Sequence, residues 1–154
     1  MIQQSQTNRQ SAIGIWQSTT GLYASAALLS LIGLTDALYL TVQHLSGHSV
    51  PCSVTGGCEE VLTSPYAVVA GIPLAALGAA AYFSAFSLST LAAFRYRSAA
   101  KLLLPLVATM VLVSVWLFYL QAFVIRAFCQ FCLLSAGITI VLAIIVFLAW
   151  KKGS

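Results

Sequence analysis

The sequence predicts an all-α integral membrane protein, an antiparallel bundle of four transmembrane helices with both termini cytoplasmic. Three observations carry this. First, 60% of the 154 residues are hydrophobic and 6% are charged, against about 25% charged in an ordinary globular domain. The mean hydropathy is +0.97. Too few polar side chains exist to cover a water-facing surface, which excludes a disordered chain, a nucleic-acid binder and almost any soluble fold. Second, four apolar stretches approach or exceed the roughly 20 residues that a helix needs to cross a bilayer. Third, the few basic residues fall on one side of those stretches. At this length the chain reads as one domain, residues 1–154.

The elements follow in order. The first ten residues are polar and hold Arg9. No short apolar core with a small-residue cleavage site follows, so residues 21–42 read as a retained span and not a signal peptide. This span contains one charge, Asp36. A long outer loop, residues 43–67, leads to span two at 68–94, which is free of charge. Its small residues Ala75, Ala76, Gly78, Ala79, Ala80 and Ala81 suit close helix contact. Spans three and four are expected at 102–125 and 131–150. The runs are continuous and do not alternate, which excludes a β-barrel. With lipid around them, all backbone hydrogen bonds must close inside helices.

Arg9, Arg95, Arg97, Lys101, Lys151 and Lys152 share one side of four such spans, whereas the other side has only Arg126, with Glu59 and Glu60. The positive-inside rule therefore makes the first group cytoplasmic. Trp16 and Trp150 lie near span ends, where indole rings favour the interface.

The same topology puts all four cysteines on the outer side or at the outer membrane edge. Cys52 and Cys58 lie in the long loop, and Cys129-Gln-Phe-Cys132 opens span four. The outer face of a bacterial inner membrane is oxidising, so disulfide chemistry is the first reading. Residues i and i+3 are neighbours on a helix, and backbone N–H groups at a helix N-terminus favour a thiolate. A low-pKa thiol is a good leaving group in exchange. A pair that opens a membrane helix can turn one sulfur to the aqueous loop and the other to an apolar pocket. That geometry suits electron transfer between a protein dithiol and a lipid-soluble carrier. The Gly56-Gly57 pair between Cys52 and Cys58 lets that loop swing. Two inert clamps and a four-thiolate zinc site are the competing readings; the oxidising context and the apolar helix edge weigh against zinc. A c-type haem is excluded, because Leu133 and not His follows Cys132.

Some polar residues near this end have two readings. A mid-membrane acid is costly, so Asp36 should face the bundle interior, as a proton donor or polar anchor near a bound carrier or simply as a satisfied interhelical bond. His44 and His48 can pass protons or be solvated. Glu59 and Glu60 suit the start of a short helix after Cys58. Arg126 can snorkel, stabilise a thiolate or contact a partner. Tyr82, Phe83, Trp116, Phe118, Tyr119 and Phe123 read mainly as packing, with some lining any carrier pocket.

Gly57-Cys58-Glu59-Glu60-Val61-Leu62-Thr63-Ser64-Pro65-Tyr66, followed by Gly71-Ile72-Pro73, resembles the bacterial homologues of vitamin K epoxide reductase. So do Cys52 six residues before Cys58, and Phe128-Cys129-Gln-Phe-Cys132. The resemblance runs from about Asp36 to Ser135, and its combined motifs are specific where a lone CxxC would not be. It implies a four-helix bundle around a quinone of the ubiquinone, menaquinone or phylloquinone type, capped by the loop after Cys58, with no metal or flavin. It implies that Cys129 and Cys132 are the active pair, with Cys132 facing the quinone. Cys52 and Cys58 would then be the shuttle pair, Cys58 exchanging with Cys129, and Ser64 would help anchor the cap.

Many bacterial members carry a fused thioredoxin-like domain. Here the chain stops at Ser154, so the expected partner is a separate, DsbA-like thiol protein, unless such a domain follows in a longer protein. Ala136 stands where the vertebrate enzymes have a Tyr near the quinone. The disulfide-bond protein B family has a similar plan, but its CxxC lies early, at the second span, and here it follows the third.

The function expected from this is a quinone-linked thiol oxidase that reoxidises a secreted thioredoxin-like protein and so supports disulfide formation. The alternatives are a quinone or quinone-epoxide reductase, and a non-catalytic structural or transport subunit with stapled loops.

Overall fold

The computed structural model describes residues 2–153. Several side chains before Ser18 lie outside the described set, and Trp16, expected at the interface, is one of them. Four long helices make the bundle: α1 (Ile2–Ser46), α3 (Leu74–Ala93), α4 (Arg97–Tyr119) and α5 (Gln130–Gly153). All four contain a stretch long and apolar enough to cross a membrane, that of α1 being Ser18–Ser46. α1 packs on α3 and α5, and α4 packs on the same two, so the helices close into a ring. Between α1 and α3 lie a short helix, α2 (Cys58–Leu62), a 3-10 turn at Pro65–Ala67, and the antiparallel strands β1 (Val68–Val69) and β2 (Ile72–Pro73).

The core is built from small residues where helices approach closely, with branched residues filling the gaps. Ala26, Ala79, Ala85 and Ala149 are buried with Leu103, Val107, Leu142 and Val146. Ala79 is buried as the small-residue run of span two implies, whereas Ala80 is exposed on the other face. Outward-facing Leu28, Ile32, Leu112, Val115, Ile144 and Phe147 form the apolar belt that lipid requires. Hydroxyls inside the helices satisfy themselves on the carbonyl four residues back, among them Ser25, Ser30, Thr35, Thr41, Ser84 and Thr90.

One polar cluster ties α3 to α5. The Tyr82 hydroxyl lies 2.8 Å from the Ser135 carbonyl, 2.9 Å from Ser135 Oγ and 2.8 Å from Thr139 Oγ1. Tyr82 is therefore more than the packing residue its sequence position suggests. Its ring lies against the backbone of Gly33 on α1, and a Cβ at Gly33 would overlap it. Gly33→Ala is therefore expected to destabilise the protein by about 1–3 kcal/mol, the cost of overpacking a filled site. Thermal unfolding in detergent checks this, with Gly14→Ala, which meets nothing within 4 Å, as the neutral control.

Several helix ends differ from those expected. Residues 68–73 are not the start of span two. Ala70 (φ 51°) and Gly71 (φ 82°) form a two-residue turn with positive φ at both positions, which folds Val68–Val69 back on Ile72–Pro73. Pro73 then precedes Leu74, where helix α3 begins. At the other end of the membrane pair, α4 passes at Leu120–Ile125 into a wider π-helical turn. α1 runs to Ser46, where Gly47 (φ 66°) closes it with bonds from Gly47 N–H to the His44 carbonyl and from His48 N–H to the Gln43 carbonyl.

Candidate functional site

The four cysteines meet at one end of the bundle. Cys52 and Cys58 are joined in a disulfide with Cα atoms 5.8 Å apart, and Cys129 and Cys132 are free thiols. Cys58 and Cys129 are fully buried in one cluster with Leu40 and Val50, and Cys52, Phe131 and Cys132 pack against it. The loop holding Cys58 is docked against the start of α5. A Cβ at Gly57 would sit 2.9 Å from both the N and O of Phe128, so only glycine permits this approach. Val54 N–H donates to Gln130 Oε1 at 3.0 Å, fixing the other side of the loop. Glu59 and Glu60 lie in the first turn of α2, as their position after Cys58 implies.

Cys129 stands immediately before α5, and its carbonyl accepts from Leu133 N–H at 3.0 Å. Its sulfur accepts the N–H of Cys132 at 3.4 Å, in the manner of a helix-capping side chain. Hydrogen bonding from the Cys132 thiol, with backbone N–H groups of Cys132 and Phe131 adding to it, holds the Cys129 thiol below its ordinary value, although burial opposes this. In a Cys52→Ala/Cys58→Ala protein the first thiolate is thus expected to appear with a midpoint below the ordinary thiol value and to vanish as pH falls through that midpoint. Removing Cys132 as well should move the midpoint up toward the ordinary thiol value of about 8.5. Ultraviolet thiolate absorbance against pH reads both.

Sequence reasoning missed Gln121. Its side chain is buried, and its Oε1 accepts the Cys129 N–H at 3.0 Å. The π-helical turn carries Gln121 to that position. The signal was an amide inside an otherwise apolar span, eight residues before Cys129.

Cys132 faces the other way. Alone among the four cysteines it lines a cavity of about 130 Å³ between the helices. The walls are mostly apolar, with Leu40, Leu117, Phe118, Leu133 and Ala136 among them, and Asp36, His44, Ser64, Gln121 and Ser135 add polar edges. Asp36 Oδ2 is buried with no hydrogen-bond partner among the described residues. The Ser64 hydroxyl donates to the Val61 carbonyl at 2.7 Å, joining α2 to the 3-10 turn at the cavity wall. Of the aromatic residues considered above, Phe118 reaches this cavity, while Phe83, Trp116 and Phe123 are exposed on the outer surface of the bundle.

The family model for the vitamin K epoxide reductase family matches residues 24–147, most of the chain. The chain belongs to that family. It is an integral membrane oxidoreductase of the quinone-linked thiol class, and members of the vitamin K epoxide reductase family typically act with thioredoxin-like partners. The cavity fits the quinone that the family uses. Its mostly apolar lining suits a ring face, and the Asp36 carboxyl, when it carries a proton, can donate to a ring oxygen. Ala136 leaves its part of the wall without a hydroxyl.

Proposed function

We propose that the protein oxidises a secreted, DsbA-like thiol protein and passes the electrons inward through two cysteine pairs to a membrane quinone, so sustaining disulfide formation. One observation carries the reading: Cys58 and Cys129 share a buried cluster, while Cys132 lines the adjacent cavity. The relay is a series of thiol–disulfide exchanges. A partner thiolate attacks Cys52; the Cys52–Cys58 bond breaks, a mixed disulfide forms and Cys58 leaves as a thiolate. The second partner thiol then releases Cys52, and the partner departs oxidised. Cys58 attacks Cys129 of an oxidised inner pair and frees the Cys132 thiolate. Cys52 attacks the Cys58–Cys129 bond, which restores Cys52–Cys58 and leaves both inner thiols reduced.

A quinone in the cavity supplies a two-electron, two-proton acceptor. The protein's part is to hold Cys132 at the cavity wall, to keep water from it with apolar side chains, and to offer Asp36 Oδ2 as a group that holds or passes a proton. Gln121 and the start of α5 fix Cys129 for attack, and Ser64 braces the cap. The cysteines lie on the periplasmic side of a bacterial inner membrane in this reading.

Purified protein mixed with a reduced thioredoxin-like protein and ubiquinone or menaquinone should form quinol and partner disulfide in equal amounts. Quinol without partner oxidation, or neither product, overturns the proposal. In cells, a membrane-impermeant thiol reagent should reach Cys52 of the reduced protein from outside, whereas tags at either terminus and in residues 95–101 should be cytoplasmic. A cytoplasmic Cys52 would place the relay in a reducing compartment and sink the oxidase reading.

A further inference from the structure

At the end of the bundle away from the cysteines, the long helices part around a cleft of about 470 Å³. Tyr23, Arg95, Arg97, Lys101 and Trp150 line it, and no acidic side chain does. The three acids of the chain, Asp36, Glu59 and Glu60, all lie toward the cysteine end. Arg95 holds a left-handed backbone, φ 75°, at the close of α3, where Arg95 N–H bonds the Ala92 carbonyl and Tyr96 N–H bonds the Leu91 carbonyl. Glycine fills that position without steric cost, and arginine does not.

Arg97 and Lys101 sit in the first turns of α4, which has no side-chain cap. Cations at this pole work against the helix dipole. An anion in the cleft removes that conflict. The Arg97 guanidinium matches phosphate oxygens in pairs, and Lys101 adds a point charge. Beside the cations, Phe94 and Leu102 are exposed large apolar residues, and Trp150 marks interfacial depth.

From this juxtaposition we infer that the cleft binds the phosphate group of an anionic phospholipid, its acyl chains lying on the exposed apolar surface next to Phe94 and Leu102. Free phosphate shares the head-group chemistry but gains nothing from that surface.

The test uses the full chain in a neutral detergent. Dioleoylphosphatidylglycerol and dioleoylphosphatidylcholine are titrated separately, and native mass spectrometry counts the lipids retained. Wild type is expected to retain one phosphatidylglycerol in clear preference to phosphatidylcholine. The Arg97→Gln/Lys101→Gln protein should bind it about 30-fold more weakly, taking about fivefold for each basic residue. The Lys151→Gln/Lys152→Gln protein, with the same loss of charge, should stay close to wild type. Equal weakening in both double variants, or no preference in wild type, overturns the site. Displacement of the lipid by inorganic phosphate at matched ionic strength overturns the lipid assignment. If Arg97→Gln/Lys101→Gln does not fold, Lys101→Gln alone decides, with a fivefold loss expected and no loss overturning the proposal.

Discussion

Cys129→Ala and Cys132→Ala are expected to lose turnover with every reductant, by a factor on the order of 10³ or more, as when a nucleophile that acts within a unit is removed. Cys52→Ala and Cys58→Ala should lose turnover with a thioredoxin-like protein to a similar degree, yet keep a measurable rate with a small dithiol. The difference rests on access. Cys129 is buried under the docked loop, and a folded partner cannot reach it. A small molecule can, once the loop no longer carries a competing disulfide. Quinol formation measured with both reductants across the four variants reads the order of the relay. Equal loss in all four with the small dithiol would remove the shuttle assignment.

Cys132→Ala should also trap an intermediate. Without Cys132, oxidation leaves Cys58 and Cys129 able to join, and a Cys58–Cys129 disulfide is expected to accumulate. Gly57 against Phe128 brings the two chain segments together, and the two sulfurs already share a buried cluster. The bond would tie the outer loop to the start of α5 and order the intervening chain, because closing a large ring removes much of its freedom. Peptide mapping under non-reducing conditions should recover that cross-linked pair as the major species. If Cys52–Cys58 is the only disulfide found under all redox conditions, the two pairs do not communicate.

The bundle was legible because its signal is long-range and redundant: charge-poor runs of span length, with basic residues gathered on alternate connections. The hairpin at Val68–Pro73 was not, since hydropathy counts Val68, Val69 and Ile72 as membrane residues whatever their backbone does. The turn that removes them from the helix depends on Ala70 adopting a positive φ, which its residue type does not announce. The cysteine pairs stood out by spacing and place. That Gly57 serves a close approach, and that Gln121 holds the Cys129 N–H, depend on contacts between segments far apart or on a widened helical turn. The lone amide in an apolar span marks Gln121 without naming its partner, and Gly57 carries no such mark. Asp36 could be expected to face inward from its charge alone, and it does line the cavity; the missing partner on Oδ2 is visible only in three dimensions.

The N–H of Cys132 on the sulfur of Cys129 has a thermodynamic consequence for the proposed relay. A helix end that favours the thiolate stabilises the reduced inner pair and leaves its disulfide no comparable gain. Such a pair is the stronger oxidant, and each tenfold preference raises its reduction potential by about 30 mV for a two-electron couple. Among the described residues the Cys52–Cys58 sulfurs show no such bond to a helix N–H; the Thr55 hydroxyl lies 3.7 Å from Cys52 Sγ. In the proposed relay this puts the lower potential at the loop and the higher at the membrane edge, so that electrons pass inward toward the helix terminus.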